Sequence, residues 1–123
     1  MTNTLKMNLT LDGNTIETSL PVESDMPFVD FFLILQLFLT KLPENVNKVT
    51  TFDVYNLNFE RIALVGNNNE LYIDENYGNF EVIQDLFDND IDTIEVIGLG
   101  TSSVSKVLQE EKYLKDALDN YEF

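Results

Sequence analysis

Two hydrophobic periods run along this chain. Near its start Leu5, Met7, Leu9 and Leu11 alternate with Lys6, Asn8 and Thr10, the period of two that gives a strand one buried face. Asp12-Gly13 then marks a tight turn, because glycine takes positive φ at no steric cost. The return strand spans about Thr15 to Val22, with Ile16, Leu20 and Val22 on one face. Pro21 lacks an N–H donor, which places the end of that strand at a sheet edge.

The pattern next becomes nearly continuous. In Pro27 to Leu42, PFVDFFLILQLFLTKL, eleven of sixteen residues are Phe, Leu, Ile or Val. Crossing a bilayer takes ~20 mostly apolar residues, and Asp30, Gln36 and Lys41 interrupt this run. The acidic flank Glu23-Ser24-Asp25 is the opposite of a secretory signal. The run therefore predicts a buried helix, capped by Ser24 or Asp25, with Pro27 in its first turn and Pro43 as its stop. Asp30, Gln36, Thr40 and Lys41 share one broad sector at about 100° per residue, and Phe28, Phe31, Phe32, Ile34, Leu35, Phe38, Leu39 and Leu42 cover most of the rest. So wide an apolar surface exceeds one sheet face, so a second layer or another subunit is expected over it.

After the polar connector Glu44 to Lys48, Val49 to Leu57 and Phe59 to Val65 are extended runs rich in strand formers. Gly66-Asn67-Asn68-Asn69 is a turn, and Leu71 to Ile73 returns as a hairpin partner of Ile62 to Val65. Asn76 to Asn79 breaks that strand. Phe80 to Phe87 is spaced as a short helix, ended by Asp88-Asn89-Asp90. Thr93 to Ile97 is a strand, Gly98-Leu99-Gly100 a turn, and Ser102 or Ser103 caps a last helix to about Tyr121. Its seam is Val104, Val107, Leu108, Leu114, Leu118 and Tyr121, with Glu111 as the one charge in it. The fold class is α+β: an N-terminal β-hairpin, a buried central helix, further antiparallel strands and two more helices. That order is compatible with a β-grasp-like layer. No repeat or long linker divides residues 1–123, which are expected to form a single acidic domain.

Composition narrows the chemistry. With 123 residues there is length enough for a core. Cysteine and histidine are absent, which removes disulfides, thiol chemistry, thiolate metal sites and every imidazole base or ligand. Seven basic and twenty-two acidic residues give a net charge of −15. Such a surface repels nucleic acid and anionic lipid and attracts basic proteins. The commoner reason for acidity is solubility. With no leader and no disulfides, a cytoplasmic location is the expectation, the host cytoplasm if a phage encodes the chain.

From Ile62 to Ser105 there is no Lys or Arg, and the span holds Glu70, Asp74, Glu75, Glu81, Asp85, Asp88, Asp90, Asp92 and Glu95. These nine are the candidate partner-binding residues. Duplex DNA carries one charge per ~1.7 Å, so a folded surface of carboxylates can occupy a basic cleft in its place. A generally acidic, solvated surface explains the same run, and charge patterning alone is weak evidence. Asp88-x-Asp90-x-Asp92 has the spacing that opens a calcium loop, but the Gly and Glu such a loop needs are here Thr93 and Leu99. Gly98-Leu99-Gly100 lacks the Gly-Lys-Ser/Thr of a phosphate loop. Asp74 and Glu75, neighbours on an extended chain, point apart. No catalytic residue, metal or cofactor site is therefore assigned. The expected function is that of a non-catalytic acidic binding protein, phage- or plasmid-borne, that occupies the basic cleft of a nucleic-acid-binding enzyme as a DNA mimic. Anti-restriction and anti-CRISPR inhibitors act in this way. Its partner would be a basic protein surface such as a nuclease, not nucleic acid or membrane. The alternative is a structural, assembly or adaptor module, such as a homodimer.

Overall fold

A computed structural model describes residues 2–41, 49–100 and 104–119, with the side chains at 114, 115, 118 and 119 excepted. The elements are β1 (Thr2–Leu11), β2 (Asn14–Glu23), α1 (Phe28–Thr40), β3 (Thr51–Tyr55), β4 (Arg61–Gly66), β5 (Leu71–Ile73), a 3-10 turn (Glu75–Tyr77), α2 (Gln84–Asp88), β6 (Thr93–Leu99) and α3 (Val104–Asp119). The strands form one mixed sheet in the order β2-β1-β6-β3-β4-β5. The fold class is thus α+β, as the hydrophobic periods imply.

The hairpin closes as expected. Asp12 and Gly13 both take positive φ, 52° and 82°, which matches the twist of the two strands. Leu11 pairs with Asn14, and the ladder runs back to Thr2 opposite Glu23. β2 is an edge strand, so the missing N–H of Pro21 costs no ladder bond. β1 pairs in parallel with β6, from Lys6 opposite Thr93 to Thr10 opposite Ile97. This pairing brings the first and last strands side by side within the sheet, and β3, β4 and β5 continue it antiparallel.

Side-chain alternation separates two faces. Leu5, Met7, Leu9, Phe52, Val54, Val65 and Val96 join the core beneath α1, together with its buried residues Phe28, Phe31, Phe32, Leu35 and Leu39. On the other face Leu64, Val104 and Val107 form a second, smaller cluster with Tyr72, Leu99 and Leu108, which seats α3. α3 therefore lies across the sheet from α1 and covers none of it.

Several local expectations change. The first residue before α1 is Pro27 itself, with no side-chain cap. The Phe28 N–H donates instead to the Glu81 carbonyl at 2.9 Å, and Ser24 serves Asn3 and Gln84. Gln36 is buried rather than solvated, and donates to the Gly66 carbonyl at 2.8 Å. Val29, Leu33, Ile34, Leu37 and Phe38 are exposed. Residues 80–83 are not helical: Val82 bridges Pro27, and α2 begins only at Gln84. Gly98 is not a turn but a position inside β6, opposite Phe52. A Cβ there would lie 2.8 Å from both Leu11 and Val49, so close approach requires the glycine. Leu42, Pro43, the connector 44–48, the caps Ser102 and Ser103, and Tyr121 lie outside the described residues, as do the side chains of Leu114 and Leu118.

Candidate functional site: the acidic end of the sheet

The register defines one end of the sheet. Tyr55 at the end of β3 lies opposite Arg61 at the start of β4 and Glu95 near the start of β6, and β5 ends at Ile73 opposite Ala63. The segment 74–92 closes this end, and the 56–60 turn sits beside it. Seven of the nine candidate carboxylates belong to that segment: Asp74, Glu75, Glu81, Asp85, Asp88, Asp90 and Asp92. Glu70 is at the opposite end, where its carbonyl accepts from Gly66 N–H in the β4–β5 turn. Glu95 lies within β6 on the α3 side of the sheet and accepts from Asn8 Nδ2 at 2.9 Å.

The seven are not equivalent. Asp85, in the first turn of α2, accepts from the N–H groups of Glu81 and Val82, at 2.7 and 3.2 Å, and so ties the segment before the helix to it. Asp74 accepts from Asn76 N–H and caps the 3-10 turn. Asp88 accepts from Gln84 Nε2 and Asp92 from the Thr93 hydroxyl. Glu75, Glu81, Asp88, Asp90 and Asp92 are exposed. Among the described residues none of the nine lies in an ion pair; Lys6 sits opposite Thr93 beside this end. Asp90 holds the left-handed conformation, φ 62°, that ends α2.

A cleft of about 420 Å³ opens between segment 74–92 and the 56–60 turn, lined by Asn56, Asn58, Glu60, Asn76, Asn89, Asp90 and Asp92 among others. Asn56 holds it in shape. It is buried, donates to Tyr77 Oη at 3.0 Å, and accepts from the N–H groups of Asn58 and Glu60. Tyr77, Phe80 and Phe28 meet edge to face, with ring centroids 5.0 and 5.4 Å apart, and brace the cleft against the first turn of α1. The turn itself projects two apolar side chains, Leu57 at 56% and Phe59 at 74% exposure, and Phe59 is held at a φ of 59°. Glu60, Leu57 and Phe59 belong to this surface although the sequence singles out none of them. A short turn between two strand-forming runs is the signal that could have drawn attention to them.

On the α3 face a second charged group has a structural task. Arg61 Nε and Nη2 donate to both oxygens of Asp53 at 2.8 and 2.9 Å, and the same guanidinium binds Glu111 of α3. Its carbon lies 5.7 Å from the Tyr55 ring centre. The hydrogen bonds that Arg61 donates to Glu111, and then those to Asp53, hold it further toward the charged form. Burial, then the hydrogen bond to Asp53, pushes the Tyr55 phenol up to about 12. Glu111, the one charge in the apolar seam, is thereby the anchor of α3.

Among the described residues no three His, Cys, Asp or Glu are grouped to hold a metal ion, and no helix is long and apolar enough to cross a membrane. No protein family, no curated protein and no solved structure matches the chain.

Proposed function

We propose that the protein is a non-catalytic binding protein whose acidic end occupies the basic cleft of a nucleic-acid-binding enzyme, an inhibitor of the anti-restriction or anti-CRISPR type. One observation carries this reading: seven carboxylates, none in an ion pair among the described residues, lie on the segment that closes one end of the sheet, beside two exposed apolar side chains. An interface energy is concentrated in a few central aromatic and apolar contacts, while charge supplies specificity and speed of association. Leu57 and Phe59 provide the first and the carboxylates the second. The test is displacement of DNA from restriction and CRISPR nucleases. The wild-type protein should compete, less well as salt rises, and neutralising Glu75, Glu81, Asp90 and Asp92 together should abolish competition. Asp85 is left intact because it holds the Glu81 and Val82 N–H groups. Equal competition by wild type and variant would overturn the reading. A second reading, an assembly module, is favoured by the bare outer face of α1.

A further inference from the structure

That outer face is a separate surface from the acidic end. Val29, Leu33, Ile34, Leu37 and Phe38 are 44–60% exposed, and Ile16 of β2 adds a sixth apolar side chain at 58%. Half-exposure of six large side chains leaves on the order of 500 Å² of apolar surface, at the upper end of what a monomer shows. An apolar groove of about 320 Å³ between α1 and the β1–β2 hairpin continues the patch, lined in part by Ile16, Ile34 and Phe38. At about 100° per residue the exposed apolar side chains of α1 span half its circumference. Asp30 and Lys41, both exposed, fall on the midline of that half at opposite ends of the helix.

We infer that the outer face of α1 binds a second copy of this chain, α1 against α1 in antiparallel orientation about a two-fold axis. A two-fold interface must be complementary to itself. Antiparallel α1 helices place Asp30 of each copy toward Lys41 of the other and oppose their helix dipoles. Between these ends the stripe carries no charge, in a chain of net charge −15, so the two copies meet where their repulsion is least. A standard interface buries about 800 Å² per partner, which this apolar patch plus a rim supplies. The wide apolar girth of the sequence is thereby covered by another subunit, since α3 lies across the sheet.

Sedimentation equilibrium of the full chain, from micromolar to sub-millimolar concentration, tests the assignment. The wild type should reach twice its 14.1 kDa mass. Leu37→Glu, at an exposed position where the fold is indifferent, should weaken the dimer roughly thirtyfold or more, with circular dichroism unchanged. Asp30→Lys alone and Lys41→Asp alone should each weaken it about fivefold, and the double variant should restore it. That rescue requires both charges to belong to the same interface between copies. A monomer throughout the range, a dimer indifferent to Leu37→Glu, or a double variant no better than the singles would overturn the inference. DNA displacement by the monomeric Leu37→Glu protein reads the acidic end separately.

Discussion

Asn56 does the work of a turn and a brace at once. Its carboxamide satisfies two backbone N–H groups and the Tyr77 hydroxyl while itself buried. Replacing it with alanine leaves those partners without their bonds in a place water reaches poorly. Asn56→Ala should therefore lower the unfolding free energy by about 2 kcal/mol, read by urea denaturation. Phe59 sits next to it under the opposite balance. Its backbone is left-handed, which costs a residue with a Cβ roughly 1–2 kcal/mol, and its ring is 74% exposed, so burial returns little. Phe59→Gly should stabilise the fold by about 0.5–1 kcal/mol, the backbone gain being offset in part by glycine's greater freedom when unfolded. In the proposed contact, the same substitution weakens partner binding. A residue that costs stability and serves a partner is where backbone strain is expected to persist.

At the scale of elements, the sequence announces what periodicity can carry. The β1–β2 hairpin was legible because Asp12-Gly13 dictates its turn and three buried side chains alternate before it. α1 was legible as a helix, but not in its facing: Gln36 and Leu37 exchange the environments their polarity suggests, because Gln36 lies beneath the Gly66 carbonyl and Leu37 lies beyond the sheet's reach. Phe80 to Phe87 has helical spacing, yet pairing of Val82 with Pro27, and the N–H groups of Glu81 and Val82 donating to Asp85, delay the helix to Gln84. Tertiary pairing outweighs a weak local preference there. The hold on α3 was not legible, since Arg61 and Glu111 stand 50 residues apart. Glu111→Gln should loosen only that element, raising hydrogen exchange of α3 amides roughly fivefold while β3 and β4 are unchanged. Tyr55, in the same group, gives a pH test. Its phenol holds its proton up to about 12 in the folded protein against 10 in the unfolded chain. Its contribution is complete below pH 10 and is lost as pH rises through about 12, since only the unfolded chain ionises early. Urea unfolding across that window should show stability falling with pH, less steeply in Tyr55→Phe.

Over the described residues, the apolar outer face of α1 and the acidic end, which also carries Leu57 and Phe59, are separate surfaces. α1 presents a stripe without charge between its ends, α3 is fixed by the Arg61 network, and carboxylates collect where segment 74–92 closes the sheet. The nine acidic positions were readable as residues, but their distribution was not: the β5–β6 connection puts seven at one end of the sheet and the β4–β5 turn puts Glu70 at the other. This distribution separates the proposed function from mere acidity. Long-range attraction depends on net charge, whereas occupation of a cleft depends on where the charges sit. Two variants of equal net charge divide the two cases. Asp90→Asn with Asp92→Asn neutralises the acidic end, and Asp12→Asn with Glu70→Gln neutralises the same number of charges in the turns at the opposite end of the sheet. The decisive measurement is the concentration of each variant needed to displace labelled duplex DNA from a nuclease that the wild type inhibits. A loss of about tenfold or more for the Asp90/Asp92 pair, with the Asp12/Glu70 pair close to wild type, is the predicted result; equal losses for both pairs would contradict it.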